Sequence, residues 1–318
     1  MKRSVIVLII ALLLVPAIFA EGTKELKPTF INIATGGTAG TYFPLGGALA
    51  EIWNTNIKNM NATAQSTGAS VANINLLKDG KNEVIMVQND IAYYAVNGLE
   101  MFKDKAFADI RGLATLYNET CQVITLADKG ITKISDLRGK RVAVGAAGSG
   151  AEANARQILE AAGLSYSDLT AQYLSFAEAA NNLKDGNIDA AFVTAGFPTA
   201  AVQDIAASRK VALVNISPEI ISAITKKYPY YTPTTIPAGT YTGVDAPIST
   251  VAVKAMLAVR ADLDPTVAYL MVKTMYANTE RLKAAHKVGS QITVDTGKAG
   301  MPLTLHPGAD KFFKEAGK

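Results

Sequence analysis

The chain has 318 residues, with 31 lysines and arginines against 27 aspartates and glutamates, which gives a formal net charge of +4. A charge this small and this evenly spread gives no basis for binding nucleic acid or an anionic membrane surface. Cys121 is the only cysteine. An intramolecular disulfide is therefore excluded, and we expect a buried, inert thiol in its apolar stretch.

The first twenty residues have the pattern of a secretory signal peptide. Lys2 and Arg3 form a basic start, residues 5–15 are an apolar run, and the small residue Ala20 closes the pattern. The apolar run is shorter than the roughly 20 residues that a membrane-spanning helix needs. We therefore predict a signal peptide at 1–20 and a periplasmic protein, with an uncleaved membrane anchor as the alternative.

From residue 30 onwards, strand-like and helix-like segments alternate, which predicts an α/β fold. In the first half, strands are predicted at 30–34, 61–66 and 84–87. One helix is predicted from Pro44 and another at 70–77. The glycine-rich loop at 35–40 joins the first strand to the first helix.

The same order of elements recurs later in the chain. Strands are predicted at 141–144, 171–174 and 190–193, and helices at 152–161 and 178–183. The two glycine loops lie in INIATGGTAG and RVAVGAAGSG, and the sequence Leu-Lys-Asp-Gly ends a predicted helix in each half. This recurrence predicts two βαβαβ lobes of related design, with chance similarity of common helix–strand junctions as the alternative.

Two crossings between the lobes complete the predicted fold. The apolar, β-rich stretch at 111–126 suits strands that pass into the second lobe, and the Pro/Gly/Thr-rich stretch at 235–245 is expected to carry the return. Helices predicted at 265–283 and 309–315 should brace the lobes from outside. The predicted domains are lobe one at 21–118 plus 243–318 and lobe two at 119–242.

Polar and glycine-rich segments follow the carboxyl ends of the predicted strands, where open α/β sheets bind ligands. Helix starts there offer unpaired backbone N–H groups and partial positive charge, which favours a small anion held by neutral donors. Simple helix capping is the alternative role for the serines. The predicted ligand-binding residues are Thr38, Tyr42, Ser66, Thr67, Gly68, Ser70, Asn73 and Gln88 from lobe one, and Ser149, Gly150, Thr194, Gly196 and Phe197 from lobe two.

Catalytic constellations are missing from the sequence. The two histidines, His286 and His306, have no metal-ligand partner at short spacing, and neither a nucleotide-binding phosphate loop nor a GxSxG elbow occurs. Asp90, Glu152 and Asp245 could lie near the cleft, but we interpret each as a solvated surface carboxylate. We therefore predict no enzyme activity, no cofactor and no metal site.

Several of these segments together resemble the TAXI family, the solute receptors that serve TRAP-type secondary transporters. The matching segments are ATGGTAGTYFPLGGAL at 34–49, QSTGASVAN at 65–73, VQNDIAYY at 87–94, VGAAGSGAE at 144–152 and IPAGTY at 236–241. The sequence departs from the family pattern at Ala39, where glycine is frequent, and at Ala147 and Thr242, where proline is common.

The resemblance implies a type II periplasmic-binding fold, in which each of two lobes is a mixed sheet flanked by helices and the ligand lies between them. It also implies a monomer that hands a small carboxylate to TRAP membrane subunits. The implied substrates are glutamate, glutamine, 2-oxoglutarate and related dicarboxylates, and the sequence does not separate a keto acid from an amino acid. A receptor for another anion that serves an ABC importer is the alternative, and an enzyme is the third interpretation.

Overall fold

The computed structural model describes residues 27–318, so the predicted signal peptide at 1–20 lies outside the described residues. Strands and helices alternate along this range. The strands are β1 (Thr29–Ala34), β2 (Met60–Gln65), β3 (Val84–Gln88), β4 (Ile110–Leu126), β5 (Arg141–Ala143), β6 (Thr170–Gln172), β7 (Ala190–Ala195), β8 (Val211–Leu213), β9 (Thr232–Ile236) and β10 (Ile248–Arg260). The helices are α1 (Tyr42–Asn56), α2 (Ser70–Lys78), α3 (Asn89–Asn97), α4 (Gly150–Ala161), α5 (Phe176–Lys184), α6 (Ala200–Ser208), α7 (Pro218–Lys227), α8 (Pro265–Ala277), α9 (Thr279–Ala285) and α10 (Pro307–Glu315).

The two predicted βαβαβ units are present and have the same strand order. In the first unit β1 lies between β2 and β3, and all three strands are parallel. In the second unit β5 lies between β6 and β7, again with parallel pairing. The prediction of two units of related design is therefore confirmed. Parallel pairing needs a crossover helix between strands, and α1, α2, α4 and α5 supply those crossovers.

Two long antiparallel strands join the units into one curled sheet. β4 pairs with β10 and β7, and β10 pairs in turn with β3 and β9. We call β1–β3, α1–α3 and α8–α10 the first lobe, and β5–β9 and α4–α7 the second lobe. The predicted crossing at 111–126 corresponds to β4.

The return crossing lies later in the chain than the sequence suggested. Residues 235–245 end β9 and form the following loop, and Tyr241 and Val244 are buried in the hydrophobic core of the second lobe. Along β10, Val253 packs in the second lobe and Ala255 in the first. The Pro/Gly/Thr-rich composition indicated a loop correctly but not the lobe to which the loop belongs. We therefore propose that the first lobe boundary lies near 118/119, as predicted. We propose that the second boundary lies within β10 and not at 242/243.

In each lobe the sheet has a hydrophobic core on both of its faces. Along β3, Val84 and Met86 pack with α1 and α8, while Ile85 and Val87 pack with α2 and α3. This alternation follows from the two-residue repeat of a strand, which sends successive side chains to opposite faces. The predicted helix at 265–283 is interrupted at Asn278, between α8 and α9.

No helix within residues 27–318 combines the length and the apolar character needed to cross a bilayer.

Candidate functional site

Four helices begin at one cleft between the lobes. α1 and α2 follow β1 and β2 of the first lobe, and α4 and α5 follow β5 and β6 of the second lobe. Their first residues, Tyr42, Ser70, Gly150 and Phe176, all line the same space, which is about 610 Å³ with its mouth included. Because each helix start carries partial positive charge, the four together make the cleft favourable for an anion.

The four helix starts are capped in different ways, but each leaves its first two backbone amides without an acceptor among residues 27–318. At α4, Ser149 Oγ accepts a hydrogen bond from the Glu152 N–H at 3.1 Å. At α5, Ser175 and Glu178 form a reciprocal capping box. α2 has no side-chain cap. Among the hydrogen bonds of residues 27–318, none uses the amides of Ser70 and Val71 as donors.

The residue before α2 has a strained backbone. Ala69 has φ +68° and ψ −149°, a region that is almost restricted to glycine and costs on the order of 1–3 kcal/mol for other residues. Such conformations concentrate at ligand sites, where the surrounding structure holds them in place. The Ala69 backbone distinguishes the start of α2 from the other three helix starts as a candidate anion site.

No lysine, arginine or histidine is among the described residues that line the cleft. Its one acidic residue is Glu119, which lies on β4 where that strand passes between the lobes. Glu119 accepts hydrogen bonds from the Tyr42 hydroxyl and, at 3.3 Å, from Gln88 Nε2. Burial raises the pKa of Glu119 to about 8, and the nearby carboxylate of Asp90 adds to the shift.

Gln88, at the end of β3 in the first lobe, links the cleft to α4 of the second lobe. Its Nε2 group donates to Glu119 and also, at 3.1 Å, to Asn154 Oδ1 of α4. Its Oε1 atom is buried and accepts no hydrogen bond in the described part of the chain. A Cβ atom at Gly150 would lie 1.9 Å from Oε1, so any other residue at that position would displace the Gln88 amide. A ligand donor would satisfy the free oxygen.

Eight of the thirteen predicted ligand-binding residues line the cleft within the described range, and five do not. The eight are Tyr42, Thr67, Gly68, Ser70, Gln88, Ser149, Gly150 and Thr194. Of the remainder, Thr38 is exposed to solvent and Ser66 Oγ donates to the Gly36 carbonyl at 3.0 Å.

Asn73 has a structural role in place of the predicted ligand contact. Its Nδ2 group donates to the Thr35 and Met86 carbonyls at 2.6 and 2.8 Å, which ties α2 to β1 and β3. Its Oδ1 atom accepts from Thr67 Oγ1 at 2.6 Å. Asn73 therefore orients Thr67, which does line the cleft.

Gly196 and Phe197 lie beside the cleft, at the contact between the lobes. The Gly196 carbonyl accepts from Thr41 Oγ1 of the first lobe at 3.3 Å. A Cβ atom at Gly196 would lie 2.6 Å from Val288 Cγ1, so this position has no room for a side chain. Phe197 packs against the core of the second lobe.

Four residues that the sequence did not indicate also line the cleft: Tyr117, Glu119, Ser175 and Phe176. A signal for Glu119 was present, because it is an acidic residue within the apolar stretch that carries the first crossing. Ser175 and Phe176 could have been found by equivalence, since they begin α5 as Ala69 and Ser70 begin α2.

The acidic residues expected at the surface fall into two groups. Asp245 is exposed and Glu152 is partly exposed, with Oε1 accepting from the Tyr166 hydroxyl at 2.7 Å. The prediction for Asp90 is wrong, because this residue is 0% exposed. Cys121 is buried as predicted, and burial raises the pKa of its thiol to about 12.

Possible metal ligands are not grouped in the described range. Residues 27–318 contain no group of three or more His, Cys, Asp or Glu side chains that could hold a metal ion.

Comparison with solved structures shows a periplasmic-binding-protein fold. A protein from Bordetella bronchiseptica RB50 is similar with a TM-score of 0.54 at 14% identity, over 91% of this chain and 82% of that chain. A putative L-cystine ABC transporter from Listeria monocytogenes is similar with a TM-score of 0.53 at 16% identity, over 83% of this chain and 98% of that chain. At such identities the likeness shows the fold alone, which is the two-lobed α/β fold predicted from the sequence.

Comparison with family models gives a less specific assignment than the resemblance of the sequence motifs to the TAXI family. The matching family model is described as the NMT1-like family and covers residues 33–317. This match does not show the TAXI family, which stays a prediction. With nearly the whole described range matched, the chain belongs to the NMT1-like family.

Proposed function

We propose that the protein is a periplasmic solute receptor that encloses a small carboxylate between its lobes and delivers it to a membrane transporter. The observation that carries this proposal is the cleft itself, which is lined by four helix starts and, among the described residues, by no cationic side chain. Membership of the NMT1-like family and the periplasmic-binding-protein fold are consistent with the role. The signal peptide at 1–20 and a monomeric state belong to the same proposal.

Neutral donors supply a large share of the binding free energy of such a site. A ligand with a micromolar dissociation constant needs about 8 kcal/mol of net binding free energy. Hydrogen bonds to a charged group contribute roughly 1.5–3 kcal/mol each. The backbone amides of Ser70, Val71, Gly150 and Ala151, which donate to no acceptor among residues 27–318, offer several such donors.

Among the carboxylates, we propose an α-amino acid such as glutamate or glutamine ahead of 2-oxoglutarate. The same cleft that offers donors also holds two buried acceptors, the Glu119 carboxylate and Gln88 Oε1. An α-ammonium group can donate to both, and its charge offsets that of ionised Glu119. A keto acid would place a carbonyl oxygen against Gln88 Oε1, which would leave that buried acceptor without a donor.

Calorimetric titration of the purified protein with L-glutamate, L-glutamine and 2-oxoglutarate tests this proposal. We expect an amino acid to bind best and to raise the melting temperature by several degrees. Thr67→Ala should weaken binding because the Thr67 hydroxyl accepts from the Ala69 N–H and holds the start of α2. Thr38→Ala is a matched control because Thr38 is exposed and outside the cleft. Failure of every C4 and C5 carboxylate and amino acid to bind would contradict the proposed function.

The transporter class is a separate part of the proposal with two candidates. The Listeria monocytogenes structure, named as a putative L-cystine ABC transporter, supports an ABC importer as partner. The sequence motifs at 34–49 and 65–73 instead support TRAP membrane subunits. Of these, the comparisons favour the ABC importer. Uptake by proteoliposomes that contain the membrane proteins encoded beside this gene separates them, since an ABC importer needs ATP and a TRAP transporter needs an ion gradient.

A further inference from the structure

A chain of buried polar side chains runs from the cleft across the contact between the lobes. We call Gln88, Asp90, Asn154, Gln157 and Tyr231 the interlobe network. Gln88 and Asp90 belong to the first lobe, and the other three to the second. Each is at most 3% exposed. Buried polar groups of this kind are costly unless they are hydrogen-bonded, so the contacts between the two lobes must supply the partners.

Asn154 is the centre of the interlobe network. Its Oδ1 atom accepts from Gln88 Nε2 at 3.1 Å. Its Nδ2 group donates to Asp90 Oδ2 at 3.0 Å and to the Tyr231 hydroxyl at 2.7 Å. The Tyr231 hydroxyl donates onward to Gln157 Oε1 at 2.6 Å. Asn154 therefore uses both its amide hydrogens and its oxygen, and two of its three partners lie in the other lobe.

The interlobe network requires the two lobes to be in contact, because Asn154 lies in one lobe and its partners Gln88 and Asp90 lie in the other. When the lobes separate, Asn154 leaves Gln88 and Asp90, and water must replace those hydrogen bonds. α4 can bring Asn154 to Gln88 because Gly150, one turn earlier, has no Cβ to meet Gln88 Oε1. The orientation of the Gln88 amide in the cleft thus depends on a residue of the opposite lobe.

Asn154 itself is outside the cleft lining, whereas Gln88 is part of it. With Nε2 of Gln88 occupied by Asn154 and Glu119, Oε1 is the atom left free for a ligand donor. We propose that Asn154 is a positioning residue for ligand binding, which couples lobe closure to the orientation of Gln88 without touching the ligand. This inference rests on the proposed receptor function.

A second set of contacts between the lobes offers a matched control. Arg156 of α4 forms an ion pair with Glu100 of the first lobe at 3.2 Å, and both side chains are partly exposed. Among the hydrogen bonds and ion pairs of residues 27–318, those of Arg156 go to Glu100 and Glu152 and not to Gln88. Arg156→Ala therefore weakens the contact between the lobes without reaching the amide in the cleft.

A double-mutant cycle with L-glutamate and L-glutamine as probes tests the inference. Asn154→Ala should weaken binding by about tenfold, the size expected for one lost hydrogen bond at a buried site. If Asn154 acts through Gln88, the loss in Asn154→Ala/Gln88→Ala should be no larger than in Gln88→Ala alone. In the control cycle, the effects of Arg156→Ala and Gln88→Ala should multiply.

Additive losses in the first cycle would overturn the inference and leave Asn154 with a purely structural role. Tyr231→Phe provides a second route if Asn154→Ala fails to fold, because it removes only the hydroxyl that accepts from Asn154. Its smaller loss should also vanish in the Gln88→Ala background, and persistence there would count equally against the inference. Failure of the wild-type protein to bind any probe would instead contradict the proposed function.

Discussion

Glu119 supplies a carboxyl group to a cleft whose other polar groups, among the described residues, are neutral. Burial raises the pKa of Glu119 to about 8, so this group is largely protonated at neutral pH in the ligand-free protein. An α-ammonium ligand needs the ionised form. Binding of an amino acid at pH 7 should therefore release a proton from Glu119, and a dicarboxylate without an amino group should gain from the protonated form.

Because an amino acid needs ionised Glu119, the sign of the pH dependence of its affinity can be predicted. For L-glutamate or L-glutamine, affinity should rise by up to about tenfold per pH unit between pH 6 and 8, and level off above pH 8. Glu119→Gln should remove this slope and weaken amino acids more than 2-oxoglutarate. Calorimetry in buffers of different ionisation enthalpy measures both the affinity and the proton released. An affinity for amino acids that falls as the pH rises through 8 would contradict the role given to Glu119.

At the scale of the elements, the serines at the helix starts have different roles. Ser149 caps α4, whereas Ser70 Oγ accepts from the Gln88 N–H at 3.2 Å and joins α2 to the end of β3. Helix capping, the alternative considered for these serines, thus applies to Ser149 and not to Ser70. The start of α2 is instead closed by the Gly148 carbonyl of the second lobe, which accepts from the Ala72 N–H at 3.1 Å.

Loss of the Ser149 cap should have a measurable effect on stability. Ser149→Ala removes one acceptor from the first turn of α4 and should lower the free energy of unfolding by about 1 kcal/mol. Urea denaturation of the ligand-free protein measures this change, with Thr38→Ala as the exposed control. An unchanged midpoint for Ser149→Ala would show that the cap contributes nothing to folding.

Local sequence patterns predicted most of the helices and strands, because the residues that determine each of these elements are close together in the sequence. The buried runs at β3 and β7 and the glycine loops before α1 and α4 appear in the sequence as they do in the structure. Glu119 could not be placed in this way, since the crossing strand brings it to a cleft built from distant segments. Asp90 was misplaced for the same reason, because its burial depends on α4 of the other lobe.

At the scale of the whole molecule, two buried carboxyl groups make stability depend on pH. Burial raises the pKa of Asp90 to about 7 and that of Glu119 to about 8, both above the values of the unfolded chain. The folded state therefore binds more protons than the unfolded state between about pH 4 and these values. Their contribution to stability is largest at low pH and is lost as the pH rises through 7 to 8.

Asp90→Asn isolates the contribution of one of these groups. The free energy of unfolding of the wild type relative to Asp90→Asn should fall as the pH rises from 5 to 7 and then become constant. Denaturant unfolding of both proteins at several pH values measures this difference. A difference that increases with pH would mean that Asp90 is stabilised in its ionised form and would contradict the burial argument.

The central claim is that a carboxylate is held between the lobes by helix amides and hydroxyls, without a cation. A crystal structure with bound L-glutamate or L-glutamine tests it most directly. We predict the ligand carboxylate within hydrogen-bonding distance of the amides at the start of α2, and the ammonium group near Glu119 and Gln88 Oε1. An arginine, lysine or metal ion on the carboxylate, or a ligand bound outside the cleft, would contradict the claim.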